Sequence, residues 1–209
     1  MRVYVARHGE TTWNVAGRYQ GRRESDLSAL GVAQANALAA AMREAGARAV
    51  VSSPLRRCLA TARPAAETIG TPVQIDERLI EIAHGTWEGR YRDEIAANDP
   101  DRYRTWRSDP AHVAFENGET IADVLARWRS FAAAPRPPLP TLVVTHDAVV
   151  RVALCEATAG GDLTGFWDAR VQNGGYVTFE VHDGRWTLVE ECAAAHLAGI
   201  TAPIETQAL

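Results

Sequence analysis

Two short apolar runs, each followed directly by basic or polar residues and a histidine, limit the fold of this chain most. Residues 2–6 (RVYVA) precede Arg7 and His8, and residues 141–145 (TLVVT) precede His146. Both runs are rich in β-forming residues and too short for helices, which predicts buried strands. Helical patterns separate the strands, so the sheet should be mainly parallel, with both histidines at the edge where open α/β sheets bind ligands.

The whole pattern predicts an α/β fold: a three-layer α/β/α sandwich around a mainly parallel sheet, with a small helical cap insert at about 85–118. We expect strands at 2–6, 49–52, 72–75 and 141–145 and an edge hairpin at 174–181 and 186–190. Helices are expected at 31–44, from the turn at 53–57 to about 69, and at about 92–107, 120–133 and 148–159. Residues 10–27 are predicted to form a loop, and residues after about 193 a frayed tail. All of 1–209 is assigned to a single domain.

The composition argues against several classes of protein. A formal charge of −4 does not fit a general nucleic-acid binder. No apolar run approaches the roughly 20 residues that a membrane-spanning helix needs. Cys58, Cys155 and Cys192 show neither metal-ligand spacing nor a disulfide framework, so we expect free thiols in a reducing cytoplasm.

Basic side chains gather at the predicted strand ends. All 22 Lys and Arg residues are arginine, so their position matters more than their number. Arg7 and His8 follow the first strand, Arg57 begins the helix after the second, and His146 follows the fourth. Two guanidinium groups and two imidazoles suit a phosphate dianion, whereas a metal site would need acidic or thiolate ligands.

The tripeptide Arg7-His8-Gly9 is ambiguous when it is considered alone. Gly9 would let the backbone bend and approach a ligand closely. An ordinary loop with a solvated arginine and a hydrogen-bonded histidine explains the same three residues equally well.

Longer motifs resolve this ambiguity through a resemblance. The chain resembles the histidine phosphatase superfamily, in its phosphoglycerate-mutase-like branch. The matching motifs are RHGETTWN at 7–14, GR-x-QG at 17–21, L-S-x-x-G-x-x-QA at 27–35, SSPL-x-R at 52–57 and T-H at 145–146.

This resemblance implies a phosphatase that hydrolyses small phosphomonoesters through a phosphohistidine. His8 is carried over as the nucleophile, and Arg7, Arg57, Asn14 and His146 as the groups that hold the transferring phosphoryl group. No metal and no organic cofactor is implied. The expected partner is a small phosphorylated substrate, with no nucleic acid and no membrane, and the sequence leaves open whether the chain forms a homodimer.

The proton donor has two candidates. The resemblance points to Glu81, which follows the third strand. Many relatives have glycine after the second histidine, whereas this chain has Asp147, and the acid-phosphatase branch uses a His-Asp pair with the aspartate as acid. We favour Glu81, and Asp147 could instead cap the following helix. Glu88 is expected to be a structural partner of Arg90 or of the loop.

Two other functions remain as alternatives: a phosphoglycerate-type phosphomutase and a non-catalytic relative that binds phosphorylated ligands. The small insert favours a phosphatase, as do Arg22, Arg23 and Glu24 where mutases usually show a tryptophan-containing segment. The predicted substrate-binding residues are Asn14, Arg18, Gln20, Gly21 and Asp147. Further candidates for substrate selection are Arg22, Arg23, Trp87, Tyr91, Trp106 and Phe115.

Overall fold

The computed structural model describes residues 1–135, 137–204 and 207–208. Within them, six strands form one sheet in the order β3-β2-β4-β1-β5-β6. The strands are β1 (Arg2–Arg7), β2 (Ala49–Ser52), β3 (Val73–Ile75), β4 (Thr141–Thr145), β5 (Tyr176–His182) and β6 (Arg185–Ala193). Strands β1 to β4 run parallel to one another, whereas β5 pairs antiparallel with both β1 and β6.

Seven α-helices accompany this sheet in the described part of the chain. They are α1 (Thr12–Val15), α2 (Ala29–Glu44), α3 (Arg56–Ile69), α4 (Arg92–Asn98), α5 (Pro100–Ser108), α6 (Ile121–Ala133) and α7 (Asp147–Ala159). The predicted cap at about 85–118 therefore contains α4 and α5.

Alternating side chains of the strands build a core on each face of the sheet. On one face, Tyr4 and Ala6 pack with Leu38 of α2 and Cys58 of α3. On the other face, the side chains include Val3 and Val5 of β1 together with residues of α6 and α7. This confirms the predicted three-layer sandwich around a mainly parallel sheet.

Local chemistry explains where several helices begin and end. Ser28 caps α2, since its side-chain oxygen accepts a hydrogen bond from the Gly31 N–H at 3.0 Å. The single helix predicted at 92–107 is divided at Asp99, because Pro100 has no N–H to continue the hydrogen-bond ladder. The predicted loop at 10–27 contains the short helix α1.

The prediction of a frayed tail after about 193 is wrong for the described residues. Ala202 and Ile204 are buried, and Gln207 is 3% exposed. The Gln207 side-chain oxygen accepts a hydrogen bond from Arg7 Nη2, and its nitrogen donates to Asn173 Oδ1 at 2.8 Å. The tail thus folds back onto the carboxyl ends of the central strands. No helix in the described ranges is long and apolar enough to cross a membrane.

Candidate active site

The two predicted histidines meet at the carboxyl ends of β1 and β4. These strands are in register, with Arg7 opposite Thr145, so each histidine follows at the same edge. The His8 N–H donates to the Thr145 carbonyl at 2.9 Å. The ring centroids of His8 and His146 are 5.3 Å apart. Adjacent strand ends therefore place both imidazoles in one site.

The protonation of His8 follows from its backbone contact. His8 Nδ1 lies 2.7 Å from the Gly9 carbonyl oxygen, which can only accept, so Nδ1 carries the hydrogen and Nε2 keeps its lone pair. Burial, reinforced by Arg57 and Arg7, lowers the pKa of His8 well below its usual value. The ring is therefore neutral, and Nε2 is available as a nucleophile.

Gly9 is needed for packing. A Cβ at this position would lie 2.5 Å from the Gly31 carbonyl oxygen of α2. The predicted close approach of the Gly9 backbone is therefore to a neighbouring helix, and it holds α2 against the end of β1.

Two buried arginines present unpaired donors to this site. Arg57 donates through Nη1 to the Arg23 carbonyl at 2.9 Å and through Nη2 to the Gly21 carbonyl at 2.7 Å. Arg7 donates through Nη1 to the Val171 carbonyl at 3.0 Å. The Nε atoms of Arg7 and Arg57 are buried and have no hydrogen-bond partner among the described residues. Buried cations with unsatisfied donors favour an anionic ligand.

Thr11 orients two side-chain amides toward the same cavity. Its N–H donates to Asn14 Oδ1 at 3.1 Å, and its hydroxyl donates to Gln20 Oε1 at 3.1 Å. Ser25 also donates to Gln20 Oε1. Because these oxygens are already engaged, the amide nitrogens of Asn14 and Gln20 remain as donors for a ligand.

His146 is held from the side of β2. Its Nε2 lies 2.7 Å from the Ser53 hydroxyl and 3.4 Å from Cys58 Sγ. Burial lowers the pKa of His146 well below its usual value, and Arg57 lowers it further. His146 is thus a second neutral imidazole with a fixed orientation.

Glu81 brings a carboxyl group to the cavity. It is 8% exposed, and its Oε1 accepts the Ile82 N–H at 2.9 Å. Burial raises the pKa of Glu81 to about 7, although the Ile82 hydrogen bond and Arg57 act in the opposite direction. A carboxyl group with this pKa can carry a proton near neutral pH and release it.

The cavity between these groups has two chemically different sides. Its volume is about 30 Å³, which is space for about two water molecules. We call its polar part the phosphate side, after the ligand that the resemblance implies; it is lined by Arg7, His8, Asn14, Gln20, Gly21, Arg57 and Glu81. The aromatic side is lined by Ile82, His84, Trp106, Ala148, Phe166, Trp167 and Ala208. Asp147 also lines the cavity.

Residues 3–193 match the model of the histidine phosphatase superfamily (branch 1). That range contains every polar group of the phosphate side. The chain belongs to the histidine phosphatase superfamily.

Curated relatives of this histidine phosphatase are named as phosphatases. It is 33% identical over 200 residues to phosphoserine phosphatase 1 of Hydrogenobacter thermophilus, covering 94% of each chain. It is 36% identical over 160 residues to glucosyl-3-phosphoglycerate phosphatase of Mycobacterium tuberculosis, covering 71% of each.

Solved structures agree in fold. YhfR of Bacillus stearothermophilus superposes with a TM-score of 0.85 at 31% identity, covering 94% of this chain and 98% of that one. A mycobacterial glucosyl-3-phosphoglycerate phosphatase in complex with VO3 gives a TM-score of 0.83 at 32% identity, covering 92% of this chain and 98% of that one. The predicted family and its phosphatase character are confirmed.

Two predicted site residues are absent from the cavity lining. One is His146, whose ring lies against that of His8, and the other is Arg18. Its Nε and Nη2 donate to the Gly89 carbonyl at 2.8 and 2.6 Å. Its guanidinium lies over the rings of Trp13 and Tyr91. Among the candidates for substrate selection, Trp106 lines the cavity; those that do not are Arg22, Arg23, Trp87, Tyr91 and Phe115.

Sequence reasoning missed most of the aromatic side. His84 lies among the rings of Tyr19, Trp106 and Phe115. Both of its ring nitrogens are buried without a hydrogen-bond partner among the described residues. Burial, followed by Arg57, lowers the pKa of His84 to about 3, so the ring is neutral. The adjacent glycines of HGTWEG marked a break in the pattern but gave no sign that His84 faces the site.

Proposed function

We propose that this chain is a phosphatase that hydrolyses small phosphomonoesters through a phosphohistidine on His8, with Glu81 as the proton donor. One observation carries the proposal. The neutral ring of His8, with its free Nε2, lines the same cavity as the side chains of Arg7 and Arg57, whose buried Nε atoms have no hydrogen-bond partner among the described residues. A nucleophile beside two fixed cations is the arrangement that phosphoryl transfer needs.

Binding places the phosphoryl group against His8. Arg7 and Arg57 supply two positive charges for a dianion, and the amides of Asn14 and Gln20 add neutral donors. These donors are already oriented by bonds to Thr11 and to backbone carbonyls, so little reorganisation accompanies the reaction.

The first step transfers the phosphoryl group to the enzyme. The lone pair of His8 Nε2 forms a bond to phosphorus as the bond from phosphorus to the ester oxygen breaks. Glu81 gives its proton to the departing oxygen, so the product leaves as a neutral alcohol and Glu81 becomes a carboxylate. The nearby cations stabilise the charge on the equatorial oxygens.

The second step hydrolyses the phosphohistidine. The Glu81 carboxylate accepts a proton from water as the water oxygen bonds to phosphorus and the bond to Nε2 breaks. Inorganic phosphate leaves, His8 recovers its lone pair and Glu81 its proton. Each group thus returns to its starting state without a cofactor.

One observation favours hydrolysis over a mutase reaction. The relatives described above carry the names of phosphatases. The restricted cavity favours a small substrate, and its aromatic side favours a leaving group with apolar surface.

Trapping of the intermediate tests the mechanism. Rapid quenching during turnover of a phosphomonoester should reveal acid-labile phosphate on the wild-type protein and none on a His8→Ala variant, which should also lose hydrolysis. His112→Ala is the matched control, because His112 is 77% exposed and lies outside the cavity. A His8→Ala variant that still releases phosphate would contradict the proposal.

The alternatives give different results in the same assays. A mutase would isomerise a phosphoglycerate faster than it releases phosphate. A non-catalytic relative would bind inorganic phosphate but hydrolyse no phosphomonoester between about pH 4 and about pH 9.

A further inference from the structure

A buried ion pair on α7 takes no part in the two chemical steps. Arg151 is 3% exposed and Asp147 is 5% exposed. They lie one helical turn apart, and Arg151 Nε donates to Asp147 Oδ2 at 2.5 Å. A buried pair of this kind is weak evidence for stability alone, so its other contacts are informative.

Arg151 also holds the segment that forms part of the aromatic side. Its Nη1 donates to the carbonyl oxygens of Phe166 and Ala169, at 3.0 and 2.5 Å. Its guanidinium lies over the ring of Trp167, 4.7 Å from the centroid. Both Phe166 and Trp167 line the cavity. Arg151 therefore fixes two side chains that would contact a leaving group.

The same segment is anchored by Arg7. The Val171 carbonyl accepts a hydrogen bond from Arg7 Nη1 at 3.0 Å. Asp147 lies between the two arginines, with its Oδ1 3.6 Å from Arg7 Nη1. Arg7, Asp147, Arg151 and the backbone from 166 to 171 thus form a closed set of contacts behind the cavity.

We propose that Arg151 is a positioning residue, which acts through Asp147 and the segment 166–171 to fix both the Arg7 guanidinium and the aromatic side of the cavity. The inference rests on the proposed function, since Arg7 is there the phosphate-binding group. Without Arg151, Asp147 would be free to turn fully toward Arg7 and compete with a phosphate for that guanidinium. Small displacements of a positioning group weaken both binding and turnover.

The central experiment compares Arg151→Met, Arg151→Lys and the double variant Asp147→Asn/Arg151→Met. The double variant removes one positive and one negative charge, so the net charge of the buried set is unchanged and Arg7 alone loses a counter-charge. Arg129→Met is the matched control, because Arg129 forms an exposed ion pair with Glu156 of the same helix α7. Thermal unfolding establishes the temperature at which every variant is folded.

The readouts are the Kd of inorganic phosphate, measured by calorimetry, and kcat and KM for a nitrophenyl and an alkyl phosphate. We expect the phosphate Kd of the double variant to rise about tenfold or more, with kcat/KM falling equally for both substrates. Arg151→Lys keeps the charge but cannot reach Asp147 and both carbonyls together. Its phosphate Kd and its kcat/KM should therefore lie between those of the wild type and those of the double variant. Arg129→Met should remain within about twofold of the wild type.

A purely structural role gives a different pattern. If the double variant folds and its phosphate Kd lies within about twofold of the wild-type value, the positioning role is overturned. If the uncharged variants do not fold, the phosphate Kd of Arg151→Lys decides by the same criterion. Failure of the proposed function is distinguishable, because a wild-type chain that hydrolyses nothing can still bind phosphate and show the loss on changing Arg151.

Discussion

Glu81 and Asp147 are two buried carboxyl groups at one cavity, and their surroundings differ sharply. Glu81 accepts the Ile82 N–H and forms no ion pair with an arginine in the described part of the chain, so burial outweighs the charges of Arg57 and Arg7 and raises its pKa to about 7. Burial also raises the pKa of Asp147, but Arg151 and Arg7 outweigh it and hold the pKa below the usual value. The number of close cations, and not the depth of burial, decides which carboxyl group keeps a proton.

This difference bears on the choice of proton donor that the sequence left open. A proton donor must be protonated near the working pH, which fits the surroundings of Glu81. An ionised Asp147 fits the role of a counter-charge to two arginines. The contrast supports the proposed role of Glu81. Substitutions of Glu81 and Asp147 can test whether the two carboxyl groups differ in function as they do in pKa.

Glu81→Gln should have the largest effect on activity. Loss of the general acid should lower kcat/KM, which reports the phosphorylation step, by about 10²–10⁴-fold for an alkyl phosphate, whose alcohol leaves poorly without a proton. For a nitrophenyl phosphate kcat/KM should change little, because its leaving group is stable as an anion, whereas loss of the general base in the second step should lower kcat for both substrates. Steady-state kinetics with both substrates check this, and an equal loss of kcat/KM on the two would remove Glu81 from the role of proton donor.

Asp147→Asn should mainly reduce stability. It leaves Arg151 and Arg7 buried without their counter-charge, which should lower the free energy of unfolding by about 3–5 kcal/mol in urea titrations. Activity should fall by the same factor for alkyl and nitrophenyl phosphates, because no proton transfer is lost. A loss confined to the alkyl phosphate would instead make Asp147 the proton donor.

The pH dependence of the wild type should separate the two groups in one experiment. Above about pH 7, Glu81 loses its proton, and kcat/KM for an alkyl phosphate should fall about tenfold per pH unit. His8 is already neutral and sets no limit there. The folded-state pKa of Asp147 is depressed, so its contribution to stability is present above about pH 4 and disappears as the pH falls through the folded-state pKa. A rate that stays constant from pH 7 to about pH 9 would contradict the role of Glu81.

Glu88→Gln should have the smallest effect on activity, and it serves as the reference for the loss of a carboxylate near the cavity. Glu88 Oε1 accepts the N–H groups of Arg22 and His84 at 3.1 and 3.0 Å, so it supports the loop, and Arg90 pairs with Glu94. Loss of its charge should cost about 1 kcal/mol in the free energy of unfolding and change kcat less than about threefold. A loss as large as that of Glu81→Gln would show that charge near the cavity, rather than proton donation, dominates.

The strand ends and the phosphate side could be predicted from sequence because both depend on local patterns. The apolar runs before His8 and His146 predict neighbouring strands, and the helix after Ser53 predicts the position of Arg57. The break at Pro100 was also readable, since proline interrupts a helix interior, but the prediction of one helix at about 92–107 did not use that signal.

The aromatic side could not be predicted because long-range contacts create it. Trp167 is held at the cavity by two contacts: the Arg151 guanidinium lies over its ring, and its Nε1 donates a hydrogen bond to the Trp106 carbonyl at 2.8 Å. Nothing periodic in the sequence links these positions. The pKa difference between Glu81 and Asp147 has the same origin, because Arg7 is far from both in sequence.

The folded-back tail has a practical consequence for engineering the chain. Met1 is 62% exposed at the start of β1, at the end of the strand away from the cavity, so an affinity tag or fusion partner placed there has open space. Ala208 is 6% exposed, lies next to Gln207 and lines the cavity. A peptide fused after it would pull on the contact between Gln207 and Arg7. Tags at the two ends of this sequence are therefore expected to be unequal, and a carboxyl-terminal fusion should be treated as a change to the wall of the site.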